Sequence, residues 1–218
     1  MSSRPCSLGL ILVAVSVAGA GTLQLPTPDT SGTMTVEQAL LRRRSVRSFS
    51  TAGLKLSESA QLLWAAQGKT SGWGGRVAPS AGGTYPMELY LVAGKVSGLE
   101  PGVYRYLPAD HALETVKPGD VREKLASAAL GQAAVASAPA VLVLACDYRR
   151  TTARYGERGV RYVHMEAGHV GQNVHLACEA MGLGTVMIGA FSDAGVKRAL
   201  GIAYDPLYVM PVGRRKGG

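Results

Sequence analysis

The seven residues Ala140–Cys146 have the sequence AVLVLAC and directly follow Pro139. A strand with one solvated face alternates between apolar and polar side chains, and this run does not alternate. An apolar run of this length is typical of a strand that is buried on both faces. The stretch therefore predicts the central strand of a sheet.

Strands and helices are predicted on both sides of this central strand. Further strands are predicted at Met87–Ala93, Val103–Tyr106, Ala112–Val116, Val186–Phe191 and Leu207–Val212. Helices are predicted to begin near Thr35, Ser57, Asp120, Arg158 and Ser192. Helices and strands are interleaved, and residues 108–111 form the turn of a hairpin, so the fold class is α+β.

Composition places most of the chain in one globular domain. Of its 218 residues 47% are hydrophobic and 17% are charged, which is sufficient for a substantial core. The formal net charge of +8 requires nucleic acid or an anionic surface to be considered as a partner. The sequence has no zinc-finger, recognition-helix or RNA-binding aromatic pattern, so we expect no nucleic-acid partner.

The N-terminal residues have a different composition from the rest. Arg4 precedes an uncharged stretch, and Ala18-Gly19-Ala20 has the form of a signal-peptidase site. We interpret residues 1–20 as a signal peptide, 21–32 as a linker, and 33–218 as the folded domain of an exported, periplasmic protein. An uncleaved membrane anchor is the alternative, although the apolar run is shorter than a spanning helix requires.

Cysteine and histidine spacing does not indicate a metal site. Cys146 and Cys178 lie in apolar runs, so we expect buried free thiols, whereas Cys6 would leave with the signal peptide. His164, His169 and His175 are five and six residues apart, which does not align them on one helical face.

Residues 41–49 concentrate positive charge in one turn after a short helix. Their sequence LRRRSVRSF contains four arginines and two serines, and guanidinium groups match phosphate oxygens geometrically. A solvated basic face is the alternative for such a run. Leu40, Leu41, Val46 and Phe49 are expected to attach this turn to the core, which favours a phosphate site.

Four segments taken together resemble the nitroreductase superfamily of flavin mononucleotide (FMN) oxidoreductases, and within it the SagB-type, thiazole/oxazole dehydrogenase-like branch. The segments are Arg43–Phe49, Pro79–Glu88, Glu166–Asn173 leading to Gly182-Leu183-Gly184, and Pro211–Arg214. The resemblance implies a nitroreductase-like α+β fold with a central, mostly antiparallel sheet flanked by helices. It also implies a homodimer with a long central helix, from about Arg161 to Met181, at the interface.

The resemblance also implies roles for individual residues. Those expected to bind FMN are Arg43, Arg44, Ser45, Arg47 and Arg214 at the phosphate and ribityl end, Pro79, Ser80, Ala81 and Gly82 in a loop reaching the ring from the other subunit, and Gly189 and Ala190 near the reactive ring nitrogen N5. Slim or apolar residues of the long helix, among them Gly168, Gly171 and Val174, are expected to face the partner subunit.

The expected catalytic residues are Arg161 and Tyr162, where azoline-oxidising members of the family have a Lys-Tyr pair. Arginine does not serve as a general base, which argues against azoline oxidation, and a structural role is the alternative for both residues. Trp73, Arg76 and Tyr85 either line the substrate pocket or anchor the loop. We therefore expect an FMN-dependent oxidoreductase that exchanges hydride with a small organic substrate, with a non-catalytic, exported flavin- or anion-binding protein as the alternative.

Overall fold

The structure is a computed structural model that describes residues 22–70 and 74–216. Two expectations concern residues outside this description: the signal peptide at residues 1–20, and Trp73 as a residue that lines the pocket or anchors the loop. The strands are β1 (Thr22–Gln24), β2 (Leu54–Lys55), β3 (Met87–Ala93), β4 (Val96–Ser97), β5 (Gly102–Leu107), β6 (Ala112–Pro118), β7 (Ala140–Cys146), β8 (Leu183–Thr185) and β9 (Asp205–Arg214). The helices are α1 (Val36–Arg42), α2 (Leu56–Gln67), α3 (Arg122–Ala128), α4 (Ala133–Ser137), α5 (Arg149–Tyr155), α6 (Arg158–Ala180) and α7 (Asp193–Leu200).

Seven strands form one antiparallel sheet in the order β1-β6-β5-β3-β7-β9-β8. The predicted central strand β7 pairs along its whole length with β3 on one side and with β9 on the other. All seven of its side chains are buried. The strand prediction for Ala140–Cys146 and the α+β prediction are therefore confirmed.

Successive side chains of β7 belong to two different hydrophobic clusters. Leu142 and Leu144 pack with residues of α2 and α6 on one face of the sheet. Val141 and Val143 pack with residues of α3, α4 and α7 on the other face. This alternation follows from the two-residue period of a strand, and it explains why β7 has no polar residue.

The predicted helix starts depend on side-chain caps. Thr35 and Gln38 form the predicted capping box of α1, and the Ser192 hydroxyl accepts from the Gly195 amide at the start of α7. Helix α2 begins at Leu56, one residue before the predicted Ser57, because the Glu58 carboxylate binds the Lys55 amide.

Two sequence interpretations differ from the structure near the edges of the sheet. Residues 22–24 of the expected linker pair with β6, and Leu25 is buried in the core. The predicted strand Val186–Phe191 is wrong, because the edge strand is β8 and only Ile188 continues the pairing, to Val209. Val186 and Ile188 are apolar because they pack against the face of the sheet that α3, α4 and α7 cover.

Cys146 and Cys178 are buried free thiols, as predicted.

Among the helices of residues 22–70 and 74–216, none combines the length and the apolar character that a membrane span requires.

Candidate functional site

The arginine-rich turn after α1 is attached to the edge of the sheet. The Val46 amide donates to the Thr185 carbonyl at 2.8 Å, and Ser45 lies opposite Thr185 in an isolated parallel bridge. Val46 and Phe49 are buried, as expected, but Leu40 and Leu41 are 52% and 86% exposed. The turn is therefore anchored by its own residues 46 and 49, and the expectation that Leu40 and Leu41 contribute is wrong.

The turn presents cations that no carboxylate of the described residues neutralises. Arg44, Ser45 and Arg47 are exposed and Arg43 is half-buried. Within the described part of the chain, none of these three arginines has an acidic side chain within ion-pair distance. Uncompensated guanidinium groups on a backbone fixed to a sheet are suited to bind a phosphate group.

The C-terminal arginines lie near this turn but have partners of their own. Arg214 pairs in register with Leu183 of β8, and its guanidinium donates to Glu58 at 2.6 Å. The next residue, Arg215, forms an ion pair with Glu179 on α6. Arg214 therefore reaches the expected neighbourhood, but part of its donor capacity is already used.

His175 is a buried histidine beside the arginine turn. Burial, and secondarily the charge of Arg43, lower its pKa, whereas Glu179 acts in the opposite direction. Its position on α6 was not predicted as part of the site, because a single histidine within an apolar helix is not a specific signal.

Gly189 and Ala190 lie at an open position beyond β8. Both residues are exposed, and a side chain added at Gly189 would meet no atom within 4 Å. The absence of a side chain at Gly189 is therefore not explained by packing within this chain. The Gly189 backbone is therefore accessible, whereas the Ala190 carbonyl accepts from Gln132 Nε2 at 3.4 Å.

The glycine- and serine-rich segment 79–83 forms a short 3₁₀ turn over the N-terminal half of α6. The Ser80 hydroxyl accepts from the Tyr85 amide at 2.9 Å, and Arg154 of α5 donates to the Gly82 carbonyl at 3.1 Å. Gly82 has a φ of 59°, and a Cβ at this residue would collide with the Tyr155 hydroxyl. This loop is held in one defined conformation, although Pro79 and Gly82 are exposed.

Tyr162 packs on Tyr155, whose hydroxyl lies beside Gly82 of this loop, and the neighbouring Arg161 is exposed. The Tyr162 ring makes an edge contact with Tyr155, with 5.1 Å between the ring centres, and Arg158 Nε donates to its hydroxyl at 3.4 Å. Arg161 has no polar contact with the described residues. The structure thus brings Tyr162 close to the Gly82 segment through Tyr155.

A buried polar cluster that was not predicted lies between the loop, α2 and α6. Glu166 is only 2% exposed, and burial raises the pKa of its carboxyl group to about 7, against the opposing effects of Ser80, Arg76 and Gln67. Arg76 donates to Gln67 at 2.7 Å and lies over the Tyr85 ring at 4.7 Å. Arg76 and Tyr85 therefore anchor the loop, which is one of the two roles considered for them. A sequence signal for Glu166 was its position between Val163 and Val170 on the apolar face of α6.

The candidate residues form two groups at different levels of α6. The arginine turn lies near His175, whereas the loop 79–83 lies near Glu166 and His169, whose Nδ1 is 3.4 Å from the Pro79 carbonyl. Nine residues separate positions 166 and 175, which corresponds to about 14 Å along a helix axis. No hydrogen bond or ion pair joins the two groups within the described residues of this chain.

Comparisons with known proteins give the chain a family. The nitroreductase family matches residues 40–214. A nitroreductase-like protein of Methanocaldococcus jannaschii is 46% identical over 194 residues, covering 89% of this chain and 98% of that protein.

Solved structures agree with this match. A Ralstonia eutropha nitroreductase-like structure has a TM-score of 0.79 and 30% identity and covers 99% of both chains. A chain of the Escherichia coli microcin synthetase complex has a TM-score of 0.70 and 25% identity, with 88% of this chain and 77% of that chain covered.

Curated relatives also include the microcin B17-processing protein of Escherichia coli and two trifolitoxin-operon proteins of Rhizobium leguminosarum. The chain spans only 47% of the microcin-processing protein and 30% and 54% of the other two. The resemblance to the nitroreductase superfamily, including its microcin- and trifolitoxin-processing relatives, is thereby confirmed, together with the nitroreductase-like fold. The chain belongs to the nitroreductase family.

Proposed function

We propose that the protein is an FMN-dependent oxidoreductase that exchanges hydride with a small organic substrate. The observation that carries this proposal is the arginine turn at residues 43–47, whose cations are uncompensated and whose backbone is fixed to β8. FMN is a flavin with one terminal phosphate, and when bound it supplies a ring that accepts and donates hydride.

Different residues of the chain are proposed to contact different parts of FMN. Arg43, Arg44 and Arg47 supply charge for the phosphate, and the Ser45 hydroxyl is exposed beside them. Gly189 offers backbone without side-chain obstruction for the ring of the flavin, whereas the carbonyl of Ala190 already accepts from Gln132. Arg214 contributes less than expected from the sequence, because Glu58 already binds its guanidinium.

A homodimer is the second part of the proposal. The arginine turn and the loop 79–83 are at different levels of α6, so one chain does not bring them together. A second copy that packs along α6 supplies its loop to the site, and the exposed apolar residues Val36, Leu40, Leu41, Val160 and Met165 of α1 and α6 are candidates for this contact.

The substrate proposal follows from Arg161 and Tyr162. Tyr162 packs on Tyr155, whose hydroxyl lies beside Gly82 of the loop, and it is proposed as a proton donor or relay. The exposed Arg161 is available to bind an anionic group of a substrate. The relation to peptide-processing proteins makes a SagB-type dehydrogenase the specific candidate. The competing candidate is a flavin- or anion-binding protein without catalytic activity.

The test has two steps. Cofactor is released from purified full-length protein by denaturation and identified by mass spectrometry, and FMN in a ratio near one per chain is expected. Reduction of a quinone or nitroaromatic with a chemical reductant then distinguishes an enzyme from a binding protein. Absence of flavin after reconstitution with excess FMN contradicts the proposal, and flavin without turnover favours the non-catalytic alternative.

Export to the periplasm is also a proposal. The expected cleavage after Ala20 would leave Thr22–Gln24 available to pair with β6. N-terminal sequencing of protein isolated from the periplasmic fraction should give Gly21 as the first residue, and a chain that retains residues 1–20 in the membrane fraction would indicate an anchor instead.

A further inference from the structure

The polar cluster beneath the loop 79–83 contains two buried atoms, the acceptor Glu166 Oε1 and the donor Gln67 Nε2. Gln67 is close enough to lower the pKa of Glu166, but neither atom has a partner in hydrogen-bond geometry among the described residues. Both side chains are almost completely buried. Burial of unpaired polar atoms costs free energy, so such a cluster requires an explanation beyond packing.

The cluster is connected to the loop on both sides. Ser80 at the start of the turn acts on the Glu166 carboxyl and also accepts from the Tyr85 amide at its end. Arg76, which precedes the loop, donates to Gln67 and stacks on Tyr85. A change in the charge of Glu166 therefore reaches the loop directly through Ser80 and Arg76.

We propose that Glu166 is a positioning residue for the loop 79–83: its neutral form is accommodated beneath the closed loop, and its ionisation favours a more open loop in which the carboxylate is hydrated. The assignment of this loop to the flavin ring rests on the proposed function. The coupling between Glu166 and loop closure does not depend on it.

The direction of this effect follows from linkage. Burial raises the pKa of Glu166 to about 7 in the closed state, whereas a hydrated carboxyl group has an ordinary value of 4.5. The open state therefore holds its proton less tightly, and a rise in pH between these values favours opening. Above about 7 both states are ionised and the effect levels off.

Arg76 is the charged side chain that acts on Glu166, and it favours the ionised form without overcoming burial. Glu88 of β3, Arg150 of α5 and Tyr85 act on Arg76 itself. His169, one turn further along α6, has a polar contact with the loop at the Pro79 carbonyl. The remaining two contributors to the pKa of Glu166, Ser80 and Gln67, are uncharged.

Hydrogen exchange on the full chain tests the coupling without any cofactor. Protection of amides in residues 80–85, corrected for the intrinsic pH dependence of exchange, should fall at least about tenfold between pH 5 and 7 and change little from pH 7 to 8. The variant Glu166→Gln resembles the neutral acid in shape, so protection of the loop amides in this variant should not change with pH.

Two controls make the result specific. Glu179→Gln is the same substitution on the same helix, at a carboxylate that instead pairs with Arg215, and it should keep the wild-type profile. Amides of β7 report global unfolding and should not follow the loop. A flat wild-type profile, an unchanged profile in Glu166→Gln, or a parallel loss in β7 would each overturn the proposal, whereas failure to bind FMN would contradict only the proposed function.

Discussion

Arg43, Arg44 and Arg47 are suited to bind an anion because of what surrounds them. Arg214, Arg215 and Arg150 each have a carboxylate partner, namely Glu58, Glu179 and Glu88. The arginines of the turn have none among the described residues, and an unpaired guanidinium loses no existing ion pair when it binds a phosphate. The fixed backbone of the turn further reduces the entropy lost on binding.

Replacement of Arg47 by alanine should weaken FMN binding by about ten- to a hundredfold, since a charge-assisted hydrogen bond contributes roughly 1.5 to 3 kcal/mol. Fluorescence titration of apoprotein with FMN measures the change. Arg198→Ala, at an exposed arginine of α7, is the matched control and should bind FMN as the wild type does. Equal affinity in Arg47→Ala and the wild type would exclude Arg47 from the phosphate site.

Glu166 should also make the stability of the whole protein depend on pH. Its pKa is raised by burial, so the folded state holds the proton more tightly than the unfolded state, and stability falls as the pH rises from about 4.5 to about 7. The upper bound on this loss is about 3 kcal/mol, from 1.36 kcal/mol per pKa unit. Denaturant unfolding should therefore show Glu166→Gln gaining stability relative to the wild type over this range, with the gain constant above about pH 7.

A gain in stability that is the same at pH 4.5 and pH 8 would contradict a titrating Glu166.

The sequence alone predicted the arginine turn, because four arginines in nine residues are a local signal. It did not predict the Glu166 cluster, because Gln67, Arg76 and Ser80 come together only when α2, the loop and α6 pack against each other.

Helix α6 has two faces with different surroundings. The residues that were expected at the dimer interface therefore divide between the core of the chain and an exposed face. Gly171 and Val174 are buried within the chain, and a Cβ at Gly171 would collide with the sulfur of Met187. Gly168 is exposed, and a Cβ there would meet no atom within 4 Å. Gly168 and the exposed Met165 therefore belong to the face available to a second copy, whereas Gly171 belongs to the core.

The substitution Gly168→Leu should weaken the proposed homodimer without destabilising the protomer, because the added side chain enters space that only a partner would fill. Analytical ultracentrifugation over a dilution series measures the dimer dissociation constant, which should rise at least about tenfold. FMN retention should fall in parallel, since the loop 79–83 is proposed to act in the partner's site.

Gly171→Leu is the informative counterpart, because it should lower the melting temperature through collision with Met187. A Gly168→Leu variant that remains dimeric, or a monomer that keeps full FMN affinity, would contradict the shared site.

Predictions at the scale of helices and strands succeeded where one local pattern determined the element. Thr35 with Gln38 marked the start of α1, and the apolar run of β7 marked a strand buried on both sides. The pattern of residues 186–191 was ambiguous, because apolar side chains at alternate positions pack against helices as well as in a sheet. Strand β1 was not predicted, because its three residues are held by pairing with β6, which is about 90 residues away in sequence.

In the molecule as a whole, the two groups of candidate residues are separated along α6. The proposed reaction therefore depends on residues from both subunits of the proposed homodimer. Hydride exchange requires a substrate beside the flavin ring, where the loop of one subunit and Gly189 of the other are proposed to meet. Azoline oxidation additionally requires a base that removes a proton from the substrate. The resemblance to azoline-oxidising proteins implies that Arg161 replaces their lysine, and arginine does not serve as that base.

The wild-type protein loaded with FMN should therefore reduce a quinone or nitroaromatic when it is given a chemical reductant. In a separate assay without reductant, with oxygen to reoxidise the flavin, it should convert little azoline to azole. Arg161→Lys should raise azole formation if Tyr162 is in place and the proposed homodimer covers this exposed position, because a desolvated lysine has a lowered pKa. Tyr162→Phe in the Arg161→Lys background is the control, and it should remove the gain while quinone reduction persists. Chromatographic detection of the azole measures the outcome, and robust azole formation by the wild type would show that Arg161 does not prevent this reaction.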